Sequence, residues 1–279
     1  MMNQTLQRRL PHVVALLALI ALLYPLLWLL VTSVKPADEV VTSVDLWPHH
    51  FEWSNYSTAL DGVSGVSVPR LLGNSLLISL GAVVGNVVSC SLAAYAFARL
   101  RFRMRGPMFA FTVATLMLPQ HVVLIPQYII FNKLGMTNTY WPLVLPKFLA
   151  VEAFFVFLIV QFMRNLPRDL EEAARIDGCG PFRSFFHIIL PLSRPALITT
   201  AIFSFIWSWN DFFAQMIYLF SPQKATITLA LRNFVDQSST SAYGPMFAMS
   251  VISVLPIVLF FFVFQRYLVQ GMATSGLKG

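Results

Sequence analysis

The chain has 279 residues, of which 57% are hydrophobic and only 11% are charged, and its formal net charge is +7. A soluble domain carries about 25% charged residues, so this composition excludes an ordinary soluble protein and indicates one that lies in lipid. The positive charge does not indicate a nucleic-acid partner, because the basic residues stand in short loops between apolar runs, as is typical of membrane proteins.

Six apolar runs follow one another along the chain, and each is long enough to cross a bilayer as a helix of about 20 residues. Helices are the predicted structure because lipid offers no water to unpaired backbone groups. We place the runs at 13–34, 72–98, 107–126, 141–163, 195–217 and 246–268. The first run is longer than a signal-peptide core, and no small-residue cleavage pattern follows it, which favours an uncleaved helix.

The distribution of Lys and Arg predicts which loops face the cytoplasm. The segments 1–12, 99–106 and 164–194, together with the C-terminal end from Arg266 on, hold 13 of the 19 basic residues. The excess predicts that both termini lie inside. The fold class predicted is therefore an all-α membrane protein with six transmembrane helices. It forms a single domain over 1–279, with a first helix at about 13–34, a core at about 72–268 and a tail at 269–279.

The inner loop 164–195 between the fourth and fifth runs reads RNLPRDLEEAARIDGCGPFRSFFHIILPLSRP. Pro167 and the acids after it suit the first turn of a helix, and Gly178 suits its C-terminal end. Pro181 can begin a second short helix, which Pro191 stops. This predicts a cytoplasmic helix–turn–helix whose small and apolar residues dock into a groove. An amphipathic loop that lies on the membrane surface is the alternative.

The spacing of Glu172-Ala173-Ala174, Asp177-Gly178 and Leu190-Pro191 resembles the EAA loop of permeases from binding-protein-dependent ABC importers. The family usually has Ala where this chain has Cys179. The resemblance implies that the loop is a coupling helix, which seats in a cleft of a cytoplasmic ATPase and passes its motion to the membrane helices. The coupling residues it implies are Glu171, Glu172, Ala173, Ala174, Asp177, Gly178, Leu190 and Pro191.

Further motifs are similar to those of MalG-type carbohydrate permeases, among them Trp47-Pro48, Asn74-Ser75, Trp209-Asn210-Asp211 and the ending Gly276-Leu277-Lys278-Gly279. This resemblance implies a multi-pass subunit of the bacterial inner membrane. Its implied partners are a second, unlike permease, two copies of an ATPase and an extracytoplasmic solute-binding protein. Lys278 would contact the ATPase; a frayed terminus is the alternative.

The chain lacks the Gly-x-x-x-x-Gly-Lys-Ser/Thr loop that cradles nucleotide phosphates. We therefore expect it to bind no cofactor itself, with ATP and Mg held by the partner ATPase. The sequence shows no catalytic set and no metal-ligand spacing, which disfavours an intramembrane enzyme. A secondary transporter working alone is disfavoured because it would not need an EAA-type loop.

Polar residues within the apolar runs are candidates for the translocation path, because a charge at membrane depth is costly and is retained for a reason. The candidates are Gln120, His121, Glu152, Asn210, Asp211 and Gln215. Bonding between helices is the alternative role for each, and Lys147 is the expected partner of Glu152. The scarcity of basic residues at depth favours a neutral sugar, and the resemblance to carbohydrate permeases implies a disaccharide or oligosaccharide. Glycerol phosphate, an amino sugar or a polyol is the alternative cargo.

Overall fold

The computed structural model describes residues 4–43, 45–237 and 243–273, and this part of the chain folds into helices without any strand. Fifteen α-helices follow one another. They are α1 Gln4–Thr32, α2 Ala37–Thr42, α3 Ser54–Asp61, α4 Val68–Arg99, α5 Arg105–Ala114, α6 Gln120–Lys133, α7 Trp141–Val144, α8 Ala153–Arg164, α9 Asp169–Ile176, α10 Pro181–Ser184, α11 Leu190–Leu192, α12 Arg194–Asn210, α13 Phe213–Tyr218, α14 Ile227–Gln237 and α15 Tyr243–Ala273. A π-helical turn, Phe185–Ile189, joins α10 to α11.

Four stretches of helix are long and apolar enough to cross a membrane, and two bent pairs raise the number of candidate spans to as many as six. The four are Pro11–Thr32, Val68–Arg99, Trp141–Arg164 and Tyr243–Gln265. One bent pair, Arg105–Met117 with His121–Lys133, turns by 104°, and the other, Pro181–Leu192 with Arg194–Asn210, turns by 75°. The structure therefore agrees with a multi-pass membrane protein.

Three of the predicted runs are not continuous helices. The third run breaks at Leu118 and Pro119, because a proline cannot donate the backbone bond that a helix interior needs. The fourth is interrupted just before α8, where Ala150 adopts a left-handed conformation with φ 53°. The predicted fourth helix, 141–163, would have Glu152 near its middle; this is wrong, because Glu152 directly precedes α8. The fifth run ends at Asn210 rather than at 217.

The chain separates into two compact units. One comprises the residues up to Arg70 together with Ala230–Leu255. In this unit the Trp28 and Phe247 rings meet edge to face, with centroids 5.3 Å apart. The buried amide of Asn55 donates to the carbonyls of Ser33 and Lys35 at 3.1 and 2.9 Å, which ties α3 to the chain that follows α1.

The other unit comprises Leu71–Leu229 and the residues from Pro256 on. Its core joins α4, α8, the π-helical turn and the start of α12; the fully buried members include Cys90, Ala94, Phe155, Val156, Ile159, Val160, Met163, Phe185, Ile189 and Ala196. The core thus reaches from the membrane helices into the loop that follows α8. The packing of the membrane helices against this loop holds the first candidate site in place.

Candidate coupling site and cavity

The predicted helix–turn–helix forms after α8. Its first helix, α9, carries Asp169, Glu171 and Glu172 in the first turn, where carboxylates complement the positive end of the helix dipole. Gly178 ends the helix with φ 79°, a conformation that favours glycine. Its N–H donates to the Arg175 carbonyl at 3.0 Å, and the N–H of Cys179 donates to the Ala174 carbonyl at 2.8 Å. These two bonds make a Schellman motif, which closes the helix and sets the direction of the chain beyond it.

The guanidinium of Arg99 joins this helix to the membrane helices. Arg99 is the last residue of α4, and its side chain is only 3% exposed. Its Nη2 donates to the carbonyls of Met163 and Leu166 at 2.5 and 2.8 Å, at the C-terminal end of α8. Its Nη1 lies 3.2 Å from Oε2 of Glu171. One side chain therefore ties the ends of α4 and α8 to α9.

The second limb is tied to α4 one turn earlier. The hydroxyl of Tyr95 donates to the Pro181 carbonyl at 3.0 Å, and the rings of Tyr95 and Phe185 lie 5.0 Å apart. Phe185 and Ile189 are buried in the core, so the π-helical turn packs against the membrane helices. Pro191 was expected to stop this limb; it instead lies within α11, and the limb ends at Leu192 before the 75° bend into α12.

The other side of the loop is exposed and apolar. Ile176 is 88% exposed and Phe182 is 77% exposed, and Phe186 is also exposed. Such large apolar side chains on a short loop indicate a surface that another protein or the membrane covers. Glu172, Ala173, Asp177 and Gly178 lie on the exposed side, whereas Leu190 and Pro191 are half-buried. Ala174, which we expected in the docking surface, turns inward and is only 6% exposed.

A cavity of about 580 Å³ lies elsewhere in the same unit, where the three interrupted runs meet. Five of the six predicted path residues line it: His121, Glu152, Asn210, Asp211 and Gln215. The side chain of Gln120 lies outside the described part of the structure. Asn86 and Ser204 also line it, with the Asn86 amide donating to the Ser204 hydroxyl at 2.8 Å. Interruptions of backbone are tolerated at membrane depth where they border such a cavity.

Lys147 and Glu152 form an ion pair in this cavity, as the sequence predicted. The position of Lys147 is set by α4, which approaches it closely. A Cβ on Gly85 would lie 2.9 Å from the Lys147 carbonyl carbon. The Ser89 hydroxyl donates to the Lys147 carbonyl at 2.8 Å and accepts from the Ala150 N–H at 3.1 Å. Ser89 thus satisfies backbone groups where the helix is interrupted.

The break after α12 is braced by side chains in the same way. Oδ1 of Asp211 accepts the backbone N–H of Ala214 at 3.1 Å. The buried amide of Gln215 donates to the Ser208 carbonyl at 3.0 Å and accepts from the hydroxyl of Thr226. Gln215 is therefore engaged between segments, which was our alternative role for it. Asp211 keeps its second carboxylate oxygen for other contacts.

Arg99 and Tyr95 are the two functional candidates that sequence reasoning did not identify. The arginine was recognised only as one basic residue among several that predict a cytoplasmic loop. Its partner Glu171 lies 72 positions later, and a single sequence carries no signal of that pairing. Lys278 lies outside the described residues. Among the residues that are described, no group of three or more His, Cys, Asp and Glu could hold a metal ion.

Comparisons with known proteins bear on both sites. A family model for the "binding-protein-dependent transport system inner membrane component" matches residues 85–274, which include the coupling loop and the predicted path residues. The sn-glycerol-3-phosphate transport system permease protein UgpE of Brucella abortus is 32% identical over 270 residues, 95% of each chain. The galactooligosaccharides transport system permease protein GanQ of Bacillus subtilis is 32% identical over 262 residues, 93% of this chain and 92% of GanQ.

The fold is also similar to that of a chain in the crystal structure of a bacterial ABC transporter involved in the import of the acidic polysaccharide alginate. The TM-score is 0.82, and the match covers 96% of this chain and 99% of that one. The sequences are 21% identical, so this likeness shows the fold.

Proposed function

The chain belongs to the family of binding-protein-dependent transport system inner membrane components, and from this premise we propose that it forms half of the translocation path of an ATP-driven sugar importer. A second, unlike permease supplies the other half. An extracytoplasmic binding protein delivers the solute, and two copies of a cytoplasmic ATPase hold ATP and Mg. Both bent helix pairs count as spans in this proposal, which gives six spans with both termini inside.

The observation that carries the proposal is the bonding of Arg99. A push on the exposed side of α9 reaches Glu171, and its ion pair with Arg99 passes the displacement to the ends of α4 and α8. Tyr95 connects the second limb to α4 in parallel. A buried guanidinium with several partners resists separation because an unpaired buried charge is costly. The loop and the membrane helices therefore move together as a rigid body.

The cavity supports a neutral, hydroxyl-rich solute. The charge of Lys147 is compensated by Glu152, and Asp211 adds a carboxylate, so the lining holds no uncompensated Lys or Arg among the described residues. Carboxylate, amide and hydroxyl groups suit the hydrogen bonds of sugar hydroxyls. The galactooligosaccharide relative agrees with a solute of this class.

Glycerol phosphate is the second candidate solute, because a relative of equal identity is named for its transport. A phosphate would need cationic donors that the cavity does not leave free. Stimulation of the reconstituted importer's ATPase by its binding protein discriminates between the two. We expect stimulation with a neutral oligosaccharide; stimulation with glycerol phosphate alone would assign the second solute.

The coupling role is tested with Gly178→Pro in the complete importer reconstituted in liposomes. Proline cannot adopt φ 79° and has no N–H to donate, so the Schellman motif is lost. We expect the subunit to insert and the stimulated ATPase activity and uptake to be lost. Full coupling in this variant would show that the loop does not transmit the motion.

Gly135→Pro is the matched control. Gly135 also has a positive φ, 67°, and its N–H also donates to a backbone carbonyl, that of Asn132, at 3.0 Å. It follows α6, far along the chain from the coupling loop. The same loss of a backbone hydrogen bond and of a positive φ at this position should leave unchanged the number of solute molecules taken up per ATP hydrolysed.

A further inference from the structure

Four arginines line a second cavity, of about 320 Å³, which the transport path does not use. Arg99 ends α4, Arg105 begins α5, and Arg168 directly precedes α9. Arg101 completes the set, and Phe102 supplies an apolar wall. The cavity therefore lies where the ends of three helices meet.

The charge of this cavity is largely uncompensated. In the part of the chain that the structure describes, the ion pair between Arg99 and Glu171 is the one salt bridge of these four arginines. The four guanidinium groups and the one carboxylate together carry a net charge of about three positive units. Like charges held together repel, and an anion in the cavity would relieve that repulsion.

The donors suit a phosphate group. Guanidinium groups present pairs of N–H donors that match phosphate oxygens, and Arg is enriched wherever phosphate is bound in this way. Arg99 is occupied by Glu171 and two carbonyls, and Arg105 donates to the Leu100 carbonyl at 3.0 Å. Arg101 and Arg168 are exposed, which leaves their guanidinium groups accessible to an entering anion.

An apolar ridge runs away from the cavity along α5. Met108 and Phe111 are exposed and three residues apart, which places them on one side of the helix, and Met104 is exposed directly before it. A free phosphate ion would make no contact with this apolar ridge, whereas the acyl chain of a lipid would cover it. Basic pockets at the cytoplasmic ends of membrane helices are the usual binding places of anionic headgroups.

We propose that this cavity binds the phosphate of an anionic phospholipid, whose acyl chain lies along α5. Because the cavity borders Arg99 and the residue that precedes α9, the bound lipid stabilises the junction between the membrane helices and the coupling loop. This proposal concerns a site apart from the transported solute and stands independently of the solute's identity.

The test uses the complete importer in nanodiscs of phosphatidylcholine, with or without phosphatidylglycerol. Native mass spectrometry counts the phosphatidylglycerol retained, and thermal unfolding reports its effect. Wild type should retain the anionic lipid and unfold at a higher temperature when it is present. Each guanidinium near the headgroup contributes about fivefold in binding, so Arg101→Gln combined with Arg168→Gln should weaken retention about 25-fold.

Arg103→Gln is the control, because Arg103 is exposed in the same basic run but does not line the cavity. It should retain the lipid as wild type does. An equal loss in this variant would mean general attraction to a basic surface, and full retention in the double variant would place the lipid elsewhere. If inorganic phosphate alone raises the unfolding temperature as phosphatidylglycerol does, the lipid assignment is wrong.

Discussion

The coupling loop and the large cavity belong to the same compact unit, yet polar groups serve them differently. At the coupling loop, Arg99 is buried and its bonds reach the ends of α8 and the first turn of α9. At the cavity, Lys147 and Glu152 pair with each other and remain partly exposed. The first arrangement joins elements into one body; the second leaves charged groups at a surface that a solute can reach.

One chain can therefore be rigid at the coupling loop and still leave polar groups accessible along a translocation path. Buried, multiply bonded groups resist separation, whereas a partly solvated pair can exchange partners at smaller cost. The unit is rigid at the coupling loop, where motion must be transmitted. At the cavity, where a solute must pass, the charged pair can rearrange. Substitutions of Arg99, Lys147 and Tyr95 test this contrast.

Replacing Arg99 with Ala should have the largest effect. It leaves Glu171 unpaired and removes the donors to two carbonyls, and removing one partner of a buried ion pair costs about 3–5 kcal/mol. We expect a strongly lowered unfolding temperature of the purified importer and loss of uptake. Arg103→Ala, an exposed neighbour in the same run, should change stability by no more than about 0.5 kcal/mol. Equal effects of the two would remove the distinction between Arg99 and an ordinary basic anchor.

Replacing Lys147 with Met should have an intermediate effect, since it leaves the Glu152 carboxylate in the cavity without its partner. The loss is about 1–3 kcal/mol of stability, and it should appear as reduced uptake with normal assembly. Adding Glu152→Gln removes the stranded charge and should restore part of both. A double variant as impaired as the sum of the single changes would show that the pair does not act together.

Replacing Tyr95 with Phe should have the smallest effect, about 1 kcal/mol, because it removes one hydrogen bond and keeps the ring packed on Phe185. We expect a small fall in unfolding temperature and a modest reduction in coupled ATPase activity. Tyr24→Phe, at an exposed position on α1, should leave both unchanged. An effect of Tyr95→Phe as large as that of Arg99→Ala would place the main connection in the second limb.

The local features of the site could be predicted from the sequence, because their causes are local. Gly178 follows the end of α9, as predicted for a glycine placed after a helix that begins with acidic residues. Lys147 pairs with Glu152, which lies five residues later in the chain. The interruptions were not predicted, although Pro119 in the third run is a residue type that breaks helices. Hydropathy averages over a window and cannot register Asp211 or Ser89 replacing lost backbone bonds.

The sequence also did not predict which membrane helices are buried by the rest of the protein. The candidate span Pro11–Thr32 has a mean hydropathy of 2.7 and none of its most apolar window is buried, whereas Val68–Arg99 has 2.0 and 39% is buried. The more apolar helix is thus the less buried one. Lipid and protein interior are both apolar, so composition alone cannot tell which neighbour a membrane helix faces.

Docking of the exposed side of the coupling loop on the ATPase is tested most directly at Cys179. The chain has two cysteines; Cys90 is buried, whereas Cys179 is partly exposed directly after Gly178. A maleimide that carries a photoreactive group is attached to Cys179 in the assembled importer and then activated. We expect a cross-link to the ATPase subunit that Cys179→Ser abolishes. A cross-link to lipid alone would contradict this docking and would favour a loop that lies on the membrane surface.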